Sequence, residues 1–296
     1  MALVCTFFWG AGYSVVKVSY QAFGIPAGDI PSKLLFAGIR FLLAGLLTLG
    51  YLSVRQKKIP YPREVSPGKL CCLSLFQTVL QYAFTYIGLA GTTGAKSAIL
   101  NQINVFLLVL LTPLFFRREK LTLQKSIGCL LGFAGIIVIN LDGLTFSFQT
   151  GDGFIVLASL SAAVGYLISK KYAGEADPAA VTGFQQLVGG GILLTAGLLS
   201  GGHIARVTPS GIGSLIFLSL AAAVSYTLWV RLLQTNDVSS VSVYKFMTPM
   251  FGVLLSGILL GEAIFRWQNL VSLVLICAGI YLANRRFRHH EKNKSS

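Results

Sequence analysis

The stretch from Ala95 to Glu119, AKSAILNQINVFLLVLLTPLFFRRE, lies without gaps on a second stretch from Val238 to Glu262, VSSVSVYKFMTPMFGVLLSGILLGE. Each is an apolar run long enough for the ~20 residues that cross a bilayer, and each ends in a glutamate just before another apolar run. The likeness continues outward in both directions. The runs that follow finish in Ala134-Gly135-Ile136…Asn140 and in Ala278-Gly279-Ile280…Asn284. The opening runs of the two halves share Tyr13…Lys17 and Tyr166…Lys170, and the third runs share Tyr82…Leu89 and Tyr226…Leu233. Hydrophobic patterning and Pro/Gly punctuation predict helices near 2–20, 34–54, 70–89, 95–116, 121–140, 153–172, 179–199, 211–233, 238–260 and 267–284. Each half holds five of them, an odd number, so the second copy enters the membrane upside down. The expected fold is an all-α integral membrane protein of ten transmembrane helices, arranged as two inverted five-helix repeats. The first repeat covers 1–141, the second 153–284, and a basic cytoplasmic tail covers 285–296.

Composition agrees with that reading. Of 296 residues, 54% are hydrophobic and only 11% charged, with a mean hydropathy of +0.72. A soluble chain carries about 25% charged residues, so most of these side chains must face lipid or one another. The first helix opens almost at Met1 with no basic region before it, which argues against a cleavable leader and fits a slightly shortened start. Cys5, Cys71, Cys72, Cys129 and Cys277 all fall in apolar segments without metal-ligand spacing, and are expected to be small core hydrophobes.

In a soluble protein the net charge of +14 would suggest nucleic acid. Here the charges sit in short connections. With the N-terminus inside, seventeen Lys and Arg lie on the inner side against five outside, and two, Arg40 and Lys245, lie within spans. The positive-inside rule then places both termini in the cytoplasm of a multi-pass plasma-membrane protein. The expected partners are a small-molecule substrate and the lipid bilayer, with no nucleic acid, and a monomer is the simplest working unit.

Inverted duplication suits a transporter, because two similar halves can rock about a central site. The residues also resemble a known family. Trp9-Gly10, Gly38-Ile39-Arg40-Phe41, Glu119-Lys120-Leu121-Thr122 with Gly132-Phe133-Ala134-Gly135, Tyr244-Lys245-Phe246-Met247-Thr248-Pro249 and Leu260-Gly261-Glu262 are similar to the EamA-type branch of the drug/metabolite transporter superfamily. The resemblance spans essentially the whole chain. It implies ten helices, an inverted-repeat fold and export or exchange of small metabolites through a central cavity.

Ionisable groups inside a bilayer are costly and point to function. Arg40 is expected ~10 Å inside the outer end of its helix and Lys245 ~10 Å inside the cytoplasmic end of the ninth. The repeat alignment sets Gln186 against Arg40 and Gln102 against Lys245. Lys245, Tyr244, Gln102, Asn101, Tyr13, Trp9, Tyr82, Gln81, Tyr166 and Tyr226 are therefore candidate substrate-binding residues, with Arg40, Gln186 and Pro249 as structural or cavity residues. Such a mixture of aromatic walls and few polar groups is typical of ligand sites; the competing reading places the tyrosines in the interfacial belt and the amides between helices. For Lys245 the alternative is an ammonium that snorkels to the interface. For Arg40 the expected role is structural, satisfying carbonyls at a helix break, because the family resemblance places an arginine there whatever the substrate.

Every Asp and Glu, and His203, His289 and His290, falls in a connection, a tail or a helix terminus. Proton-driven pumps need a titratable group within the membrane, and a broad exporter of cationic drugs needs a buried negative charge. The expectation is a secondary transporter of an anionic or zwitterionic metabolite, such as an amino acid or related carboxylate, moved by exchange or facilitation. A membrane-embedded enzyme using Asp142 and Asp152, or a scaffold without transport, is the alternative class. No phosphate-binding loop, metal cluster or nucleophile elbow is present in the sequence, so no enzyme activity, metal or cofactor is expected. Glu119 and Glu262 are expected to cap the helices that follow them, and Gly128…Gly132 forms a small-residue packing face.

Overall fold

The structure, a computed structural model, describes residues 1–57, 60–92, 94–141, 149–174, 176–260 and 266–284. Ten apolar segments follow in chain order among the described residues. α1 is Ala2–Phe23, α2 is Ile30–Gln56 and α3 is Pro67–Ala90. α4 is built of two pieces, Gly94–Asn101 and Ile103–Phe115, and α5 is Leu123–Ile139. α6 is Thr150–Ala173, α7 is Pro178–Leu199 and α8 is Pro209–Thr235. α9 joins Val238–Ser242, a 3₁₀ turn Val243–Phe246 and Met247–Leu260, and α10 is Trp267–Asn284. Among the described residues there is no strand. Nine of these segments are long and apolar enough to cross a membrane, and α5, with 17 residues, is a shorter apolar tenth. The chain is an all-α, multi-span membrane protein.

Helix starts follow local chemistry. Asp29, Thr122, Asp177 and Thr208 each accept a hydrogen bond from a backbone N–H of the first turn, the usual work of an N-cap. The bonds from Ser32 also hold the Asp29 carboxyl below the ordinary carboxylate value. Because Pro31 is tolerated in a first turn, α2 opens at Ile30 rather than near residue 34. That correction carries weight, for Arg40 now lies ten residues, about 15 Å, inside the helix end.

Apolar side chains cannot drive helices together in lipid, so close backbone approach at small residues does. A Cβ built on Gly45 or Gly190 of one helix would stand 2.7 Å from Leu187 N or 2.5 Å from Leu42 N of the other, which locks α2 against α7. α5 and α10 meet in the same way, with Gly128 against the Gly279 carbonyl. α1 packs on α8 and α9, whereas α6 packs on α3 and α4. Leu114, Leu130, Ile258 and Leu270 are exposed, as lipid-facing residues would be. The cysteines divide: Cys5 and Cys129 are core residues, Cys72 is half-buried, and Cys71 and Cys277 face outward rather than into the core.

Candidate substrate site

Lys245 sits in the 3₁₀ turn of α9, where the sequence loosens the helix. Pro249, four residues on, offers no N–H to the Lys245 carbonyl and its ring would crowd that oxygen. Gly132 of α5 has no side chain, and the Phe246 ring occupies the space a Cβ would need. With Phe246 anchored there, its neighbour Lys245 reaches a box of rings from α1, α6 and α8. Its Nζ lies 4.0 Å from the centroid of Tyr166, 5.4 Å from Trp9 and 5.8 Å from Trp229. Lys245 is only 7% exposed, so its ammonium does not snorkel.

α4 breaks at the matching position. The Gln102 backbone N–H donates to the Ile99 carbonyl at 3.0 Å, and the Gln102 backbone carbonyl accepts from Val105 N at 3.0 Å. Phe106 stands where the second half has Pro249, so another cause is needed. The Asn104 side-chain amide donates to the Asn101 carbonyl, and the Ser159 hydroxyl reaches the Leu100 and Asn101 carbonyls at 3.0 and 3.3 Å. Side-chain bonds of this kind compete with the helical ladder.

Arg40 marks the other end of the site. Its guanidinium lies 4.5 Å from the Phe41 ring centroid and 5.2 Å from Tyr82, and the residue is 7% exposed. α2 runs unbroken past it. The expected role at a helix break is therefore corrected, because no break is there to need it. The Tyr82 and Tyr226 hydroxyls are 3.1 Å apart. Ring centroids then follow at 6.4 Å from Phe41 to Tyr226, 5.8 Å from Tyr226 to Trp9 and 4.9 Å from Trp9 to Trp229. One aromatic wall thus runs from Arg40 to Lys245. Among the described residues neither cation has a carboxylate partner. Trp9 Nε1, Trp229 Nε1, Arg40 Nε and the Oε1 atoms of Gln81, Gln102 and Gln186 are buried without hydrogen-bond partners among the described residues. Gln186 uses its other end, donating to the Ala222 carbonyl at 3.2 Å.

A vestibule of about 1280 Å³ opens on the face that carries Arg118, Lys120, Lys125 and Lys170, and Ala2, Val241 and Tyr244 help to line it. Val241 also packs into the cluster that holds Tyr166 and Trp229. Ion pairs bind the two halves at its mouth. Lys170 pairs with Glu119 and also donates to the Asn236 carbonyl at 2.6 Å. The second Glu119 oxygen accepts from Val238 N at 2.7 Å, and Lys125 meets Asp237 at 3.2 Å. Glu119 therefore caps α9 of the other half, not the helix that follows it. α5 is capped instead by the Thr122 hydroxyl, which accepts from Lys125 N at 3.3 Å. At the opposite face Asp152 accepts from Gln149 N at 2.7 Å and from the Thr92 hydroxyl, and Gly151 packs on Gly91.

The family model described as the EamA-like transporter family matches this chain twice, over residues 1–141 and 149–285. The chain belongs to the EamA-like transporter family. Relatives in Bacillus subtilis and Escherichia coli are named as transporters, not enzymes. It is 30% identical to the uncharacterized transporter YvbV of Bacillus subtilis, over 94% of this chain and 88% of that one. It is 25% identical to a chloroplastic WAT1-related protein of Arabidopsis thaliana, over 94% of this chain and 67% of that one. It is 24% identical to the uncharacterized inner membrane transporter YedA of Escherichia coli, over 93% and 88%. A solved crystal structure matches with a TM-score of 0.78 over 96% of both chains at 18% identity, a likeness of fold.

Within this EamA-like chain the fold brings together six of the residues singled out from sequence: Trp9, Tyr82, Tyr166, Tyr226, Arg40 and Lys245. Tyr244 is turned away, packed with the α5–α10 cluster and lining the vestibule. Asn101 belongs to the α4 break beside Ser159. The side chain of Tyr13, Asp142, Glu175, Glu262 and the tail lie outside the described residues. Trp229 and Phe41 complete the wall. Their signal is spacing: Trp229 follows Tyr226 by one helical turn, and Phe41 adjoins Arg40.

Proposed function

We propose that this EamA-like transporter is a secondary transporter, an exporter or exchanger, of a small polar metabolite that carries an anionic group. The observation that carries the reading is the pair of buried cations, Arg40 and Lys245, without carboxylate partners among the described residues and at the ends of one aromatic wall. Charges held in the membrane without an opposite charge are costly, and a negatively charged substrate compensates them. Alternating access by two inverted repeats, 1–141 and 153–284, is the mechanism we favour. Three features support it: the double match of the family model, helix packing that repeats when the halves are exchanged, and helix breaks at the paired positions Gln102 and Lys245. Half-helices that end at a substrate site are typical of such folds.

The basic face is assigned to the cytoplasm of a plasma-membrane protein, in keeping with the positive-inside rule and with the inner-membrane relative. A reporter active only outside the cell, fused after Ser296, stays silent if both termini are cytoplasmic; a strong signal overturns that orientation. Transport itself is tested in proteoliposomes loaded with counter-substrate. Exchange persists when an uncoupler collapses the proton gradient at constant membrane potential, and strict loss would contradict the proposal. Lys245→Gln, which copies Gln102, inserts normally but transports at least about tenfold more weakly, as expected for a lost charged hydrogen bond. Unchanged apparent affinity at normal membrane levels would remove Lys245 from the site.

A further inference from the structure

We infer that the site takes a dianion: two anionic groups held apart by a short apolar spacer, of the dicarboxylate or phosphorylated-acid kind. This rests on the proposed anion transport and narrows it. The two cations do not share one ligand position. Lys245 is boxed by Trp9, Tyr166 and Trp229, and Arg40 by Phe41 and Tyr82, with Trp9 and Tyr226 standing between them at 5.8 Å. Arg40 lies about 15 Å from one helix end and Lys245 about 10 Å from the opposite end, so in a core of about 30 Å they sit at different depths. One carboxylate satisfies one of them and leaves the other charge unmet.

A zwitterion fits less well. Its ammonium needs a carboxylate, and among the described residues no acid pairs with either central cation, while the ring faces already serve Lys245 and Arg40. The free donors point the same way. Arg40 Nε and the indole N–H groups of Trp9 and Trp229 are buried and unpartnered among the described residues; indole nitrogen and guanidinium can only donate. A guanidinium suits the paired oxygens of carboxylate or phosphate, and an ammonium serves as a point charge for the second group. The aromatic faces between them suit the spacer. The unpartnered oxygen of Gln81 is no obstacle, since an amide turned about its terminal bond presents N–H instead; Gln186 Oε1 stays an acceptor, because its N–H serves the Ala222 carbonyl.

The test uses purified protein carrying Trp267→Phe, so that Trp9 and Trp229 alone report binding by fluorescence. Dicarboxylates from succinate to suberate set the spacing; pimelate, 6-phosphonohexanoate, hexanoate, 6-aminohexanoate and 1,5-diaminopentane then compare charge on one fixed run of five carbons. The best dianion binds at least about thirtyfold more tightly than hexanoate or 6-aminohexanoate, the equivalent of about 2 kcal/mol. Arg40→Gln and Lys245→Gln each bring that preference within about threefold by weakening the dianion alone, whereas Arg40→Lys keeps the preference and reports an intact fold. Tighter binding of pimelate or of 6-phosphonohexanoate tells which of the two dianion kinds is taken. Hexanoate or 6-aminohexanoate binding as tightly as every dianion, failure of all dianions to bind, or single variants that leave the preference unchanged overturn the inference. Preference for 1,5-diaminopentane sinks the anion reading beneath it as well.

Discussion

The central cations and those at the mouth of the vestibule are the same residue types in opposite company. Lys170 and Lys125 face Glu119 and Asp237 across the two halves. Lys245 and Arg40 face rings. A permanent carboxylate lowers the cost of a desolvated cation and fixes it in place. An aromatic face also lowers that cost, through the negative face of its quadrupole, and a stronger anion can still displace it. The difference separates charge used to join the halves from charge kept available to a visitor. On the proposed reading, an acid near the centre would hold a cation that the substrate needs.

Breaking the mouth should have the larger effect on the protein's shape. Glu119 serves two partners of the second half, Lys170 and the Val238 N–H. Glu119→Gln weakens both, and losing charged hydrogen bonds costs about 1.5–3 kcal/mol. The expected result is a lower unfolding temperature in detergent. With Cys71, Cys72 and Cys277 replaced, a cysteine at Ser240 on the vestibule wall should also be modified several times faster by a polar thiol reagent (roughly tenfold for each 1.4 kcal/mol released). Lys245→Gln in the same background should leave that rate unchanged. Equal rates in Glu119→Gln and the parent would mean that this contact does not hold the halves together.

The sequence was informative about the fold because lipid demands long apolar runs, and those runs leave little doubt about where helices lie. Its start for α2 is four residues late, because the apolar run alone does not show that Asp29 caps a helix whose first turn contains Pro31. The site was legible in its costly members, Arg40 and Lys245, whose charges stand out in any apolar stretch. Gln102 and Pro249 could be placed at helix breaks from the repeat and from proline chemistry. The partners were not legible. Phe41 looks like any apolar helix residue until Tyr82 and Tyr226 are seen against it, and Tyr244 looks like a wall residue until the 3₁₀ turn sends its neighbour inward instead. Glu119 was read correctly as a cap, but the helix it caps lies 119 residues away, and local sequence carries no sign of that.

The smallest effect is expected at the second mouth pair, and it sharpens the same contrast. Lys125 and Asp237 are 3.2 Å apart, yet their side chains are 10% and 54% exposed. Water around Asp237 weakens the attraction, and a pair this open contributes about 0.2–1 kcal/mol. Asp237 also precedes Val238 without a side-chain hydrogen bond to the α9 N-terminus, so its charge acts on that helix only through space. A double-mutant cycle of Lys125→Gln and Asp237→Asn, read by unfolding temperature, should give a coupling below about 1 kcal/mol. That coupling should vanish near 1 M salt, where the screening length is about 3 Å. The Glu119–Lys170 coupling, between side chains that are mostly buried, should be larger and survive the same salt. If the exposed pair couples as strongly as the buried one, or resists salt equally, burial is not what ranks the contacts at this mouth.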